Sequence, residues 1–164
     1  MRTFIISLVS LFLVSSPAWA GGSAGSIGVG VEAALSDGND GIGGISGNYD
    51  FGAFHLGGFF GVADPAGANN TRLEFGARFF YHLHSSAMSD FGVGGSLAYA
   101  NVPVGADTKN DELYLAPAFQ IRAFVTSNVA LSFSAGIALG LGDADGVVLD
   151  GQLTSSAGIH YYFF

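Results

Sequence analysis

The sequence contains no cysteine and little charge of either sign. The absence of cysteine excludes disulfide bonds and thiolate chemistry. Only 5 residues are Lys or Arg, against 13 Asp and Glu, so the net charge is −8 at pH 7. Nucleic acid is excluded as a partner, because phosphate binding requires clustered basic residues. Charged residues make up 11% of the chain, whereas a water-exposed surface usually needs about 25–35%. The composition does not suit an exterior in contact with water.

A hydrophobic run long enough to cross a membrane as a helix is also absent. The apolar run at residues 4–14 follows Arg2 and is shorter than the roughly 20 residues that a membrane-spanning helix needs. Ala18, Trp19 and Ala20 follow it, a small-x-small pattern typical of a secretory cleavage site. We therefore predict a signal peptide at residues 1–20 and one folded domain at residues 21–164.

The rest of the sequence favours strands. The chain has 26 glycines, which interrupt every candidate helix, and apolar residues alternate with small or polar ones, as in a strand with different surroundings on its two faces. Pro117 predicts a bulge or a local break in pairing, because proline has no N–H to donate. The alternation predicts eight strands, at residues 27–35, 45–51, 54–62, 73–83, 91–100, 112–123, 131–141 and 156–164.

The two faces of these strands distinguish a membrane barrel from a soluble one. A soluble carrier of the lipocalin kind fills its interior with the bulky apolar face and exposes the other face to water. Here the second face consists mostly of Gly, Ala and Ser with few charges, which suits a narrow interior better than a wet surface. The bulky face is therefore predicted to contact lipid, because a closed sheet satisfies its own backbone hydrogen bonds in a membrane.

The predicted connectors alternate in length. Short turns lie near Gly52, Ser86 and Ser127, and the longer connectors are rich in Gly, Asp and Asn. An even number of strands with alternating long and short connectors is the pattern of membrane barrels. It predicts both chain ends on the periplasmic side and the acidic connectors outside the cell. The long connectors are predicted at residues 36–44, 63–70, 101–111 and 142–152.

The last predicted strand carries a signature, Gly-Ile-His-Tyr-Tyr-Phe at residues 158–163. It resembles the Gly-hydrophobic-x-Tyr-x-Phe ending of the small eight-stranded outer-membrane β-barrel proteins of Gram-negative bacteria, with one added residue. The resemblance implies an all-β, eight-stranded antiparallel up-and-down transmembrane β-barrel, surrounded by outer-membrane lipid and lipopolysaccharide. It also implies a C-terminal signal for the outer-membrane assembly machinery, formed by Gly158, Ile159, Tyr161, Phe163 and Phe164.

Five polar residues are predicted to face the interior of the barrel: Glu32, Glu74, Arg78, Gln120 and Arg122. A charge in a narrow, weakly solvated interior is costly unless it is paired, so we expect Glu and Arg side chains from different strands to form ion pairs. Side chains nearly fill the interior of an eight-stranded barrel, which favours a structural plug over a transport site. The many interior glycines leave a water-filled cavity as the alternative.

Other residue patterns do not define a catalytic, cofactor or metal site. His82 and His84 are predicted on one strand face, with His55 and His160 near the same barrel end, but spacing cannot show the convergence that zinc requires. The acidic segment at residues 143–150 lacks the full ligand series of a calcium loop. We therefore assign no catalytic residue, no cofactor and no metal ligand from the sequence.

Three functions remain open from the sequence. The leading hypothesis is a non-enzymatic outer-membrane barrel that anchors surface loops for envelope integrity, adhesion or surface interaction, with an extracellular partner at the acidic loops. The second is a narrow, porin-like channel for ions or small solutes. The third, a lipid-modifying enzyme, would depend on suitable residue types in one predicted turn, namely His82, His84, Ser85, Ser86 and Asp90.

Overall fold

The computed structural model describes residues 24–35, 44–64, 66–67, 70–103, 108–141, 146–148 and 155–163. The predicted signal peptide at residues 1–20 and the last residue of the predicted assembly signal, Phe164, lie outside the described residues. Within the described ranges, no helix has the length and hydrophobicity needed to cross a bilayer.

The described chain forms strand segments that join in one sheet. Each of the eight predicted strands is present, and Ile137 divides the seventh into two segments. The segments are β1 (Ile27–Ala34), β2 (Gly44–Asp50), β3 (Phe54–Ala63), β4 (Arg72–Ser85), β5 (Ser89–Pro103), β6 (Lys109–Phe124), β7 (Val129–Gly136), β8 (Ala138–Leu141), β9 (Gly146–Val148) and β10 (Ser155–Phe163).

The sheet closes into a barrel with eight positions around its circumference. Consecutive strands from β1 to β7 are antiparallel neighbours, and β10 pairs with both β7 and β1, which closes the cylinder. Segments β7 and β8 both pair with β6, while β10 pairs with β7 and β9 pairs with β8. Segments β7 and β8 therefore share one position around the barrel, and segments β9 and β10 share the next. The predicted all-β, eight-stranded antiparallel up-and-down barrel is confirmed.

Pro117 breaks the pairing locally and does so without a bulge. It lies opposite Gly95 of β5 in a continuous register, and its carbonyl accepts a hydrogen bond from Ile137 N at 3.1 Å. Proline has no N–H, so the return bond to Ile137 cannot form, and Ile137 is the residue that separates β7 from β8. A register shift is present elsewhere, between His82 and His84 in the pairing of β4 with β5.

The bulky apolar residues point outward, as predicted. Phe75, Phe79 and Phe133 are 46%, 43% and 48% exposed, whereas Arg78 and Ser132 on the alternate faces of the same strands are buried. A soluble barrel would have the opposite orientation. The soluble-carrier alternative is therefore excluded, and the exterior presents a hydrophobic surface suited to lipid.

The connectors differ from the prediction in two places. Short turns at residues 51–53, 86–88 and 125–128 lie at one end of the barrel, which we call the short-turn end; the opposite end is the long-connector end. The predicted connector at residues 101–111 is too long, because β5 and β6 pair out to Pro103 and Lys109. The predicted connector at residues 142–152 contains β9, which pairs with β8. Both hairpins extend because ladder hydrogen bonds continue to satisfy the backbone.

Candidate functional site in the barrel interior

The interior contains two clusters of buried polar residues, and the first is built on Glu32. Arg78 Nη1 lies 2.8 Å from Glu32 Oε1 and 2.7 Å from Oε2. His160 Nε2 lies 3.3 Å from Glu32 Oε1 and 2.6 Å from Ser46 Oγ. Ser156 donates to Glu32 Oε2 at 3.4 Å. We call these five residues the Glu32 cluster.

The Glu32–Arg78 pair is almost completely removed from water. The side chain of Arg78 is 5% exposed and that of Glu32 is 1% exposed. The guanidinium of Arg78 also lies 4.5 Å from the centre of the Phe59 ring, a cation–π contact. Each charge is therefore compensated inside the barrel, as a buried ion pair requires.

The second cluster lies at the short-turn end and is built on Arg122. Its Nη2 atom lies 2.7 Å from Asp50 Oδ2 and 2.7 Å from Asp90 Oδ2. Its Nη1 atom donates to the Tyr162 hydroxyl at 3.0 Å, and Nη2 lies 3.1 Å from His82 Nε2. The five side chains come from β6, β2, β5, β10 and β4. One guanidinium thus connects five strands across the interior.

His55 and the turn at residues 51–53 complete this second cluster. His55 Nδ1 lies 2.8 Å from His82 Nε2, and His82 Nδ1 lies 2.7 Å from the carbonyl oxygen of Gly52. The backbone N–H of Gly52 donates to Asp50 Oδ1 at 2.8 Å, and the φ of Gly52, 86°, favours glycine. The turn therefore fixes both Asp50 and His82. We call Arg122, its four partners and His55 the Arg122 cluster.

Interior glycines make room for large side chains. A Cβ atom on Gly28 would lie 2.7 Å from the ring of Tyr162, and one on Gly158 would lie 2.7 Å from Glu32 Cγ. Tyr162 and Glu32 are themselves buried. At these positions, the space that the glycines leave is occupied by packed protein atoms, which favours the plug over a water-filled cavity.

The five residues predicted to face the interior are all buried there. Glu32 and Arg78 contact each other, Arg122 lies in the other cluster, and Glu74 and Gln120 lie on the interior faces of β4 and β6. The carboxylate partners of Arg122 are Asp50, which the sequence analysis did not consider, and Asp90, which it considered only for lipid hydrolysis. The signal that could have found them is position: Asp50 and Asp90 each directly precede an outward-facing phenylalanine.

The described residues of the predicted assembly signal lie on β10. Ile159, Tyr161 and Phe163 point outward and are about half exposed, whereas Gly158 faces the interior beside Glu32. The outward row continues the apolar exterior of the neighbouring strands β1 and β7.

The four histidines considered from the sequence do not converge. His84 is exposed on the far side of the register shift in β4, and His160 belongs to the Glu32 cluster. Asp50, His55 and His82 do converge, with one potential ligand atom from each lying within 4.8 Å of the others.

The turn considered for lipid hydrolysis has no nucleophile–base contact among its described side chains. Ser86 Oγ donates to the Ser89 carbonyl at 3.1 Å and contacts the Ser89 hydroxyl at 3.0 Å. The ring nitrogens of His82 contact Gly52, His55 and Arg122. A serine nucleophile requires a base within hydrogen-bond reach, and Ser86 does not have one in this arrangement.

Comparison with known proteins identifies the fold. No protein-family model and no curated protein matches the chain. Among solved structures, the chain is similar to the N-terminal β-barrel domain of Pseudomonas aeruginosa OprF, with 14% identity and a TM-score of 0.63 over 84% of this chain and 97% of that chain. It is also similar to Ail, the attachment invasion locus protein of Yersinia pestis, in complex with the heparin analogue sucrose octasulfate, with 15% identity and a TM-score of 0.51 over 84% of this chain and 97% of that chain. These likenesses establish a shared fold.

Proposed function

We propose that this chain, which has the fold of the eight-stranded outer-membrane β-barrels, is an integral protein of the outer membrane of a Gram-negative bacterium. In this proposal it is exported by a cleaved signal peptide and is not an enzyme. The barrel anchors surface loops that serve envelope integrity, adhesion or another surface interaction. The observation that carries the proposal is the combination of an apolar exterior with an interior closed by paired charges.

The closed interior favours a role for the loops over a role for the lumen. Arg78 and Arg122 each reach across the barrel to carboxylates of other strands, and their side chains are 5% and 2% exposed. A conducting path needs water contact along its length. Both clusters oppose such a path, so anchoring is favoured over a channel.

The bases of the loops are held by hydrogen bonds at the long-connector end. Tyr99 and Asn101 donate to Asp111 Oδ1 at 2.5 Å and 2.6 Å. Lys109 Nζ donates to the carbonyl of Thr71 at 2.9 Å, which links the start of β6 to the residue that precedes β4. A rigid base is what a barrel that presents loops has to supply.

The charge of the long connectors suggests the chemistry of an outside partner. They are acidic by sequence, with Asp37, Asp40, Asp64, Asp107, Asp143, Asp145 and Asp150. The similar Ail structure contains a sulfated polyanion. Like charges repel, so the acidic loops of this chain are better suited to a basic protein surface or to divalent cations than to a polyanion.

The proposal is tested in two steps. An epitope tag inserted at residues 142–145 should be labelled by antibody on intact cells, and the protein should fractionate with the outer membrane. The long connectors are then replaced by short Gly-Asn turns in a variant whose folding is checked by gel mobility before and after heating. We expect this variant to fail to restore a surface phenotype that the deletion strain lacks, whereas a matched variant with the short turn at residues 86–88 replaced should restore it. A loop-replaced barrel that folds and retains every phenotype would refute a loop-borne role.

A further inference from the structure

We infer that Asp50, His55 and His82 bind one divalent metal ion of borderline hardness, of the Zn²⁺ class, inside the short-turn end of the barrel. One potential ligand atom from each residue lies within 4.8 Å of the other two. The residues come from three adjacent strands, β2, β3 and β4. Two imidazoles and one carboxylate form a common donor set for such ions, which lie about 2 Å from each ligand. Atoms that each lie about 2 Å from one ion are at most about 4 Å apart, so any separation beyond that has to shorten when the ion binds.

His82 is already oriented as a metal ligand. Its Nδ1 atom lies 2.7 Å from the carbonyl oxygen of Gly52, and a carbonyl only accepts, so the proton is on Nδ1. Nε2 lies 3.1 Å from Arg122 Nη2, which can only donate, so Nε2 presents a lone pair to the interior. An imidazole held through its second nitrogen by a backbone carbonyl is the usual outer-shell arrangement at metal sites.

His55 faces the same point in space. Its Nδ1 atom lies 2.8 Å from His82 Nε2, and the residue is 1% exposed. Two lone pairs cannot face each other at this distance, so a proton or a cation must be shared there. A metal ion that replaces the proton on His55 Nδ1 satisfies both rings at once.

The charge balance of the Arg122 cluster favours a further cation. Asp50 and Asp90 are both buried, and a single guanidinium, that of Arg122, lies between them. Arg78 does not offset the difference, because it is paired with Glu32. With neutral histidines, the cluster contains one uncompensated negative charge, which is costly in a buried site. A bound divalent ion changes this sum from −1 to +1, and each of the two carboxylates then has a cation of its own.

Arg122 is the competitor that the metal must displace in part. Its Nη2 atom contacts Asp50 Oδ2 at 2.7 Å and His82 Nε2 at 3.1 Å. Metal binding would take over both contacts, and Arg122 would keep Asp90 at 2.7 Å and the Tyr162 hydroxyl at 3.0 Å. Asp50 Oδ1 would still accept the hydrogen bond from the backbone N–H of Gly52. Removing the charge of Arg122 should therefore strengthen metal binding, which a purely structural cluster would not predict.

The test uses the full barrel, folded in detergent micelles without a histidine tag and freed of metal by a chelator. Zn²⁺ is titrated in by calorimetry. We expect one Zn²⁺ per chain, affinity at least about tenfold weaker in His82→Ala and in Asp50→Asn, and tighter binding in Arg122→Gln. His84→Ala is the matched control, because His84 is exposed on the same strand outside the cluster, and its affinity should equal that of the wild type.

Two results would overturn the inference. One is the absence of stoichiometric Zn²⁺ binding to the wild type; the other is equal affinity in His82→Ala and His84→Ala. If an interior variant does not fold, as judged by gel mobility before and after heating, X-ray absorption at the zinc edge of the wild-type complex decides instead. A first shell with two imidazoles supports the site, and a first shell without imidazole rules it out. The outcome is independent of the loop-borne function.

Discussion

Glu32 and Arg78 form an ion pair across the interior although two strands, β2 and β3, separate their own strands in the sheet. Arg78 Nη1 bridges both carboxylate oxygens of Glu32, at 2.8 Å and 2.7 Å. The contact spans the bore, so the two side chains close it as well as neutralise each other. The barrel interior therefore behaves as a packed polar core, and the predictions below follow from it.

Removing one partner of this pair should destabilise the barrel strongly. Arg78→Ala leaves the Glu32 carboxylate buried without its guanidinium partner, and we expect a loss of about 3–5 kcal/mol in the free energy of unfolding. The measurement is urea unfolding of the barrel in lipid vesicles, followed by far-UV circular dichroism. The control is the double variant Glu32→Gln with Arg78→Gln, which leaves no unpaired charge and should recover most of the loss. Equal losses in the single and double variants would contradict the ion-pair explanation.

A charge on the outer surface should be costly in a depth-dependent way. Phe79 is outward-facing and near the middle of β4, whereas Leu83 is outward-facing near the short-turn end of the same strand. Phe79→Arg should cost about 2–4 kcal/mol, and Leu83→Arg about 0–1 kcal/mol, because an arginine near the interface reaches the headgroups. Reversible unfolding in vesicles measures both. A smaller cost at Phe79 than at Leu83 would be incompatible with lipid around the middle of the barrel.

Two glycines on neighbouring strands should respond differently to alanine. A Cβ atom on Gly30 would overlap the carbonyl oxygen of Ile159 on the adjacent strand, whereas one on Gly47 would meet nothing closer than the Gly28 carbonyl oxygen at 3.6 Å. Gly30→Ala should therefore cost about 1–3 kcal/mol through strand displacement. Gly47→Ala should change stability by no more than about 0.5 kcal/mol. Denaturant midpoints of the two variants, measured side by side, check the difference, and similar midpoints would show that the interior side of β1 is not closely packed.

The barrel should not conduct in planar bilayers. The wild type is expected to give no reproducible current steps, because both polar clusters exclude water from the bore. Arg78→Ala should also give none, because the Arg122 cluster still closes the short-turn end. Regular steps from the wild type would favour the channel hypothesis instead, and steps that appear only in Arg78→Ala would identify the Glu32 cluster as the sole constriction.

Several errors of the sequence analysis have a common origin in strand pairing. The connectors at residues 101–111 and 142–152 were predicted too long because alternation of apolar residues fades where strands leave the apolar band, although the hydrogen-bonded ladder continues to Pro103 and Lys109. The chemistry of proline restricts the effect of Pro117 to a bulge or a local break in pairing. The position of Ile137 opposite it on the next strand decides for the local break. Sequence periodicity describes one strand at a time, and pairing depends on two.

The sequence by itself determined the barrel: its low charge, its alternating faces and its even number of strands indicate which side of each strand contacts lipid, because that choice depends only on the composition of each face. Only the tertiary structure decided which interior groups meet. Arg122 binds Asp50 and Arg78 binds Glu32 because closure and stagger of the barrel bring non-adjacent strands to the same height. The contacts of Arg122 with Asp90 and of His55 with His82 join neighbouring strands and depend on their pairing register. Both kinds of contact depend on how strands are placed relative to one another, which no single strand encodes.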